Sequence, residues 1–159
     1  MSLKHILWIC LLILPLAACV APSKPSLTPL EIQALQTREY EESVDTVFAS
    51  TISVFQDLGF IVKSADKLSG FITAEGTAKS ETAASWFFLV LPNVKQTHAT
   101  AFIERIGKLT KVRLNFVVTS ERSIGWGMTE RNDTPVLDSE VYQNAFERIE
   151  NAIFIRSNS

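Results

Sequence analysis

Few side chains in this sequence have the reactivity to do chemistry, and their spacing narrows what that chemistry is. There are two histidines, His5 and His98, and two cysteines, Cys10 and Cys19. Beyond residue 18 only His98 remains, which removes any two-histidine metal site. No Gly-x-Ser-x-Gly turn or similar nucleophile signature lies near it. Its simpler reading is a solvent-facing side chain at the start of a strand. Glu41, Glu42 and Asp45 cluster ahead of a helix, where the positive end of the helix dipole accounts for them without a metal. Gly125-Trp126-Gly127 lies between Arg122, Glu130 and Arg131. As a ligand loop it would offer the Trp126 indole as a platform; as plain structure it is a turn tip packed against the sheet. No phosphate-cradling glycine loop, metal-ligand spacing or cofactor motif is present. No catalytic residue, metal or cofactor is therefore expected, and the chain reads as a non-enzyme.

Cys19 is the one reactive side chain whose surroundings specify a reaction. Lys4 and His5 lead into an apolar run, Ile6 to Leu14, too short to span a bilayer as a mature helix. Leu16-Ala17-Ala18-Cys19 follows, a leucine three places before a cysteine with small residues between. The pattern resembles a bacterial lipobox. That resemblance implies cleavage between Ala18 and Cys19, diacylation of the thiol and acylation of the new amino terminus. Two or three acyl chains hold a protein durably at a membrane, whereas one holds it weakly. The competing reading is a plain secretory peptide ending at Ala18, with Cys19 a free thiol. Val20 stands where enteric lipoproteins retained at the inner membrane carry aspartate, so the periplasmic face of the outer membrane is favoured. With Cys10 removed and Cys19 acylated, neither a disulfide nor a thiolate metal site is left.

The 159 residues divide into a signal peptide (1–18), a lipidated cysteine with a proline-rich tether (19–35) and a single domain (36–157). Pro22, Pro25, Ser23 and Ser26 keep the tether extended, on the order of 25 Å over its first nine residues. Removing Lys4 takes the 15 basic side chains to 14 against 17 acidic ones, a net charge of about −3. Such a domain is a poor nucleic-acid ligand.

Periodicity outlines the domain. Thr28-Pro29-Leu30-Glu31 has capping-box order for a short helix. Gln36 to Tyr40 reads as an edge strand. Val44, Val47, Phe48, Ile52, Phe55 and Leu58 recur at helical spacing, with Gly59 as the stop. Two hairpins follow, Phe60–Lys63 with Phe71–Ala74, and Ala99–Ile106 with Leu109–Thr119 around Gly107-Lys108. A last helix opens at Asp138 or Ser139 and carries Tyr142, Ala145, Phe146, Ile149 and Ile153 on one stripe. The expected fold is α+β: an antiparallel sheet of four to five strands with two long helices on one face. Phe48, Phe55, Phe116, Phe146 and Ile149 should meet in the core.

Gln36-Thr37-Arg38-Glu39-Tyr40, Gln56-Asp57-Leu58-Gly59-Phe60-Ile61, Ala65-Asp66, Gly70-Phe71-Ile72-Thr73-Ala74, Lys111 to Phe116 and Glu140-Val141-Tyr142-Gln143 are similar to a family of uncharacterised bacterial lipoproteins. The resemblance covers most of residues 36–156. It implies a lipidated envelope location and an α+β domain, and it assigns no activity. The chain departs from that pattern around Trp86 to Leu91 and around Ser120 to Asp133.

Trp86, Phe87, Phe88, Leu89 and Leu91 form the most apolar segment outside the signal. It is either core or a docking patch for an envelope protein partner or, less favoured, for the lipid surface. The function expected is that of a lipid-anchored envelope protein, a non-enzymatic component or accessory of an envelope complex. The alternative is a carrier or sensor of a small apolar ligand held between sheet and helices. Labelled palmitate should be incorporated by the wild-type chain and absent from Cys19→Ala; label retained in that variant would overturn the lipidation reading.

Overall fold

The structure, a computed structural model, describes residues 27–83, 91–123 and 128–158. Its centre is one long hairpin. Strand β5, Leu91–Ile106, pairs antiparallel with β6, Leu109–Ser123, from Ile106↔Leu109 out to Asn93↔Arg122. Gly107 opens the two-residue turn at φ +62°, a conformation that costs glycine little. Along β6 the side chains alternate as expected up to Phe116: Val112, Leu114 and Phe116 are buried, while Arg113 faces water.

Every other strand attaches to this hairpin directly or through a neighbour. Along β5 lie β3, Phe71–Glu75, and then β4, Lys79–Ala83; β2, Ile61–Asp66, pairs with β3. Along β6 lie β1, Thr37–Tyr40, and β7, Thr129–Pro135. Among the described residues the sheet has seven strands, all paired antiparallel, rather than four to five. The additions are β4, β7 and the extensions of β5 and β6 that carry them. Lys-Ser-Glu-Thr-Ala and Thr-Glu-Arg-Asn-Asp-Thr-Pro have no apolar alternation, and every residue of β7 is exposed. Periodicity reports a buried face, so strands without one escape it.

Three helices, not two, complete the described chain. The first, α1, Pro29–Gln36, is begun by a full capping box: Thr28 Oγ1 accepts from Glu31 N at 3.3 Å, and Glu31 Oε2 accepts from Thr28 N at 2.7 Å. Residues 29–35, counted with the tether segment, are thus helical, as the capping-box order of Thr28 to Glu31 implied, and Leu35 packs against the core. Ser43 caps α2, Val44–Asp57, and Asp138 caps α3, Ser139–Ser157. Both long helices lie on one face of the sheet. Val47, Phe48, Val54 and Phe55 from α2 and Tyr142, Ala145, Phe146, Ile149 and Ile153 from α3 form one cluster with Ile72, Ala99, Ala101, Ile103, Val112, Leu114 and Phe116. The expected set of Phe48, Phe55, Phe116, Phe146 and Ile149 is buried throughout.

The β2–β3 turn shows how closely the backbones approach. Asp66 accepts from Leu68 N at 3.0 Å and from the Ser69 hydroxyl at 2.6 Å, which holds its carboxyl below the usual range, the hydroxyl first. Gly70 follows at φ +75°, and a Cβ there would sit 2.1 Å from the carbonyl oxygen of Ile103. Two changes follow. Phe146→Ala should cost about 3 to 5 kcal/mol and lower the melting temperature by roughly 10 °C or more. Gly70→Ala should be comparably damaging, through backbone clash rather than lost burial. Calorimetric melts check both; an unchanged transition in Phe146→Ala would mean its helix stripe faces solvent.

Candidate functional site

A recess between sheet and helices is built by the end of α2, the start of α3 and the middle of the sheet. The α2 end is written locally as Leu58-Gly59-Phe60. Gly59, at φ +83°, donates its N–H to Gln56 O, and Phe60 N donates to Phe55 O, each at 2.9 Å. These are the paired bonds of a Schellman terminus. Its usual apolar closure is present too, since the Phe60 ring lies 5.9 Å from that of Phe55. Phe60 is thereby folded back over the sheet, 6.0 Å from the ring of Phe116, which in turn meets Tyr142 edge-on at 5.2 Å.

Phe116 stands at a break in the sheet. On the outer side of β6, β1 ends opposite Arg113 and β7 begins opposite Val117. The unpaired backbone between them is satisfied otherwise. Phe116 N donates to the Tyr142 hydroxyl at 3.4 Å, and Phe116 O accepts from Val136 N at 2.9 Å. That second bond brings Val136 beside the aromatic cluster and leads the chain to Asp138, whose carboxylate caps α3 by accepting from Glu140 N at 2.9 Å.

The resulting pocket is about 540 Å³, walled by Leu58, Phe60, Phe116, Val136 and Val141, with Thr97 from β5 and with Asp138, Glu140 and Asn144 around the mouth. Its size lies within the roughly 300–1,000 Å³ range of small-ligand sites. The walls take an apolar body by removing it from water, and the carboxylates favour a donor or cationic head over an acidic one. Leu58, Phe60, Val136 and Val141 were not singled out from sequence as a site. The signal for them was Leu-Gly-Phe, a helix stop followed at once by an aromatic.

The residues singled out from sequence fall elsewhere. Ala18 and Cys19, Trp86, Phe87, Phe88 and Leu89, and Trp126 lie outside the described residues. Leu91 is the first residue of β5 and pairs with Ala83 of β4. The strand ends that flank residues 84–90 and 124–127 are neighbours, since Asn93 of β5 pairs with Arg122 of β6 and Ser123 pairs with Thr129 of β7. His98 is part-exposed but not at a strand start. It lies within β5 on the face away from the helices, its Nδ1 3.9 Å from Glu75 Oε1, and Glu75 also pairs with Lys63 at 3.3 Å. Nearby, the Thr119 hydroxyl donates to Asp133 at 2.7 Å and, with Arg131, holds that carboxyl below its ordinary range. Of the acidic cluster, Asp45 is paired with Lys67 at 2.8 Å.

An apolar fluorescent dye such as N-phenyl-1-naphthylamine should bind the pocket. Val141→Lys, at a half-exposed wall position, should abolish the enhancement without lowering the melting temperature; unaltered dye binding would place the dye elsewhere.

No protein-family model matches the chain, and no curated protein matches it. Among solved structures, the chain is similar to a DUF4468 family protein from Bacteroides ovatus, with 10% sequence identity and a TM-score of 0.40 over 81% of this chain and 89% of that one.

Proposed function

We propose that the chain is a lipid-anchored protein of the bacterial cell envelope, held at the periplasmic face of the outer membrane, whose α+β domain serves as a non-enzymatic accessory of an envelope complex. The observation that carries this reading is Leu16-Ala17-Ala18-Cys19, set between an apolar run and a proline-rich segment. Acylation of Cys19 makes the membrane itself the first partner, and Val20 favours outer-membrane sorting.

In this reading the protein partner is recognised by the connection between β4 and β5. The connection between β4 and β5 contains Trp86, Phe87, Phe88 and Leu89, and the strand ends next to it carry Glu121, Arg122, Glu130 and Arg131. Aromatic anchors beside charged neighbours are the composition of a docking patch, with an apolar centre and a polar rim. The apolar pocket beside α3 favours a second reading, in which the domain carries or senses a small apolar ligand. The two are separable, because the pocket walls, Leu58, Phe60, Phe116, Val136 and Val141, share no residue with the connection.

Crosslinking in intact cells tests the first reading. The double variant Trp86→Ser, Phe88→Ser should fractionate with the outer membrane as wild type does, keep its circular dichroism and melting temperature, and lose its crosslinked partner. A variant that unfolds, or one that folds and keeps every partner, would return the segment to ordinary structure.

A further inference from the structure

The sheet has a second recess, on the face turned away from α2 and α3. Alternation puts Phe71, Thr100, Phe102, Arg113 and Asn115 on that face, since their neighbours Ile72, Ala101 and Leu114 are buried on the other. Helix α1 borders the face with Ile32 and Gln36, leaving a groove of about 460 Å³.

Its polar groups are held in place from beneath. Gln36 is only 5% exposed. Its Nε2 donates to Asn115 Oδ1 and to the Tyr142 hydroxyl, both at 3.4 Å, and its Oε1 accepts from Arg113 Nη2 at 3.2 Å. That neutral amide is the only hydrogen-bond partner of the Arg113 guanidinium among the described residues, and no carboxylate there lies within ion-pair distance of it. Arginine has five N–H donors in a planar fork, so most of this cation's capacity is unused, although the domain as a whole is acidic. Among the described residues no acidic side chain lines the groove. Its apolar wall is a pair of rings, Phe71 and Phe102, with centroids 4.7 Å apart; Phe71 is 51% exposed.

We infer that this groove binds a small organic carboxylate with a flat apolar face. The carboxylate lies on the Arg113 fork, where two parallel N–H···O bonds match its geometry. The flat face, aromatic or the apolar side of a sugar ring, covers Phe71 and Phe102, and the Asn115 amide and Thr100 hydroxyl take up its remaining polar groups. The proposal is independent of the apolar pocket, which opens on the other face and is rimmed by carboxylates that would repel such a ligand.

The test is calorimetric titration of the purified full chain in detergent with three probes: benzoate, N-acetylmuramate and N-acetylglucosamine. The third has the sugar of the second without its carboxylate. Saturable binding of benzoate or N-acetylmuramate is expected, and whichever binds more tightly identifies the flat face as aromatic or saccharide. N-acetylglucosamine should bind about tenfold or more weakly than N-acetylmuramate. Arg113→Gln should weaken the carboxylates by a similar factor, and Arg113→Lys should restore only part because it keeps charge without the fork. Phe71→Ser, at a half-exposed position, should weaken binding with the melting temperature retained. Failure of both carboxylates to bind, equal binding of the neutral sugar, or full affinity in Arg113→Gln would each overturn the proposal.

Discussion

Continuous pairing between β5 and β6 is the constraint on which the remaining structure depends. Both strands exceed a dozen residues, well beyond the five or six of an ordinary strand. Their length lets each carry two partners in succession, β3 and β4 on one side, β1 and β7 on the other. Register here is set from a single place, the Gly107-Lys108 turn. A slip of one residue would turn Leu114 and Phe116 toward solvent and bring Arg113 and Asn115 into the core. The core and the open-face groove are thus alternate residues of the same strand, and neither can be rearranged without the other.

A strand that changes neighbours part-way leaves backbone groups that its neighbours do not reach. On β6 this happens around Phe116, and Tyr142 meets the need with its hydroxyl while its ring fills the core. The same hydroxyl accepts from Gln36, so one phenol joins α3, the sheet and α1. A buried polar network of this kind is stabilising only when its members are satisfied. Tyr142 is therefore more than another apolar position on the α3 stripe, although periodicity treats it as one. Arg38, stacked 5.0 Å over the ring of Phe146, ties β1 to the same helix from outside.

How much of this was legible in the sequence depends on what was buried. The two long helices, the inner hairpin, the Gly59 stop and the five-residue core set could be read because each has an apolar side that repeats with the period of its element. The outer strands could not, since residues such as Asn132 and Asp133 are exposed and leave no apolar period in the sequence. Nor could the groove: Arg113, Phe71 and Gln36 are far apart in the chain, and nothing in their local sequence shows that a buried glutamine would hold the arginine. The pocket was half visible. Leu58-Gly59-Phe60 announced a helix end, but that Phe60 would fold back onto Phe116 required the sheet.

The places where partners change have a mechanical consequence. Along β5 the change falls at residues 76–78, where Gly76 bonds to Thr97 O, and along β6 it falls between Arg113 and Val117. The interruptions are staggered: opposite residues 96–97 of β5, β6 is still paired to β7, and opposite residues 114–116 of β6, β5 is still paired to β3. The half backed by helices and the half with β4 and β7 are therefore joined across two one-sided gaps, with three or more strands paired at every level between them. Opening the outer half exposes little apolar surface on β7, so its amide exchange belongs to a lower free-energy unit than that of the inner half. A bend at these gaps would re-aim what the outer strands present while leaving the core packing intact.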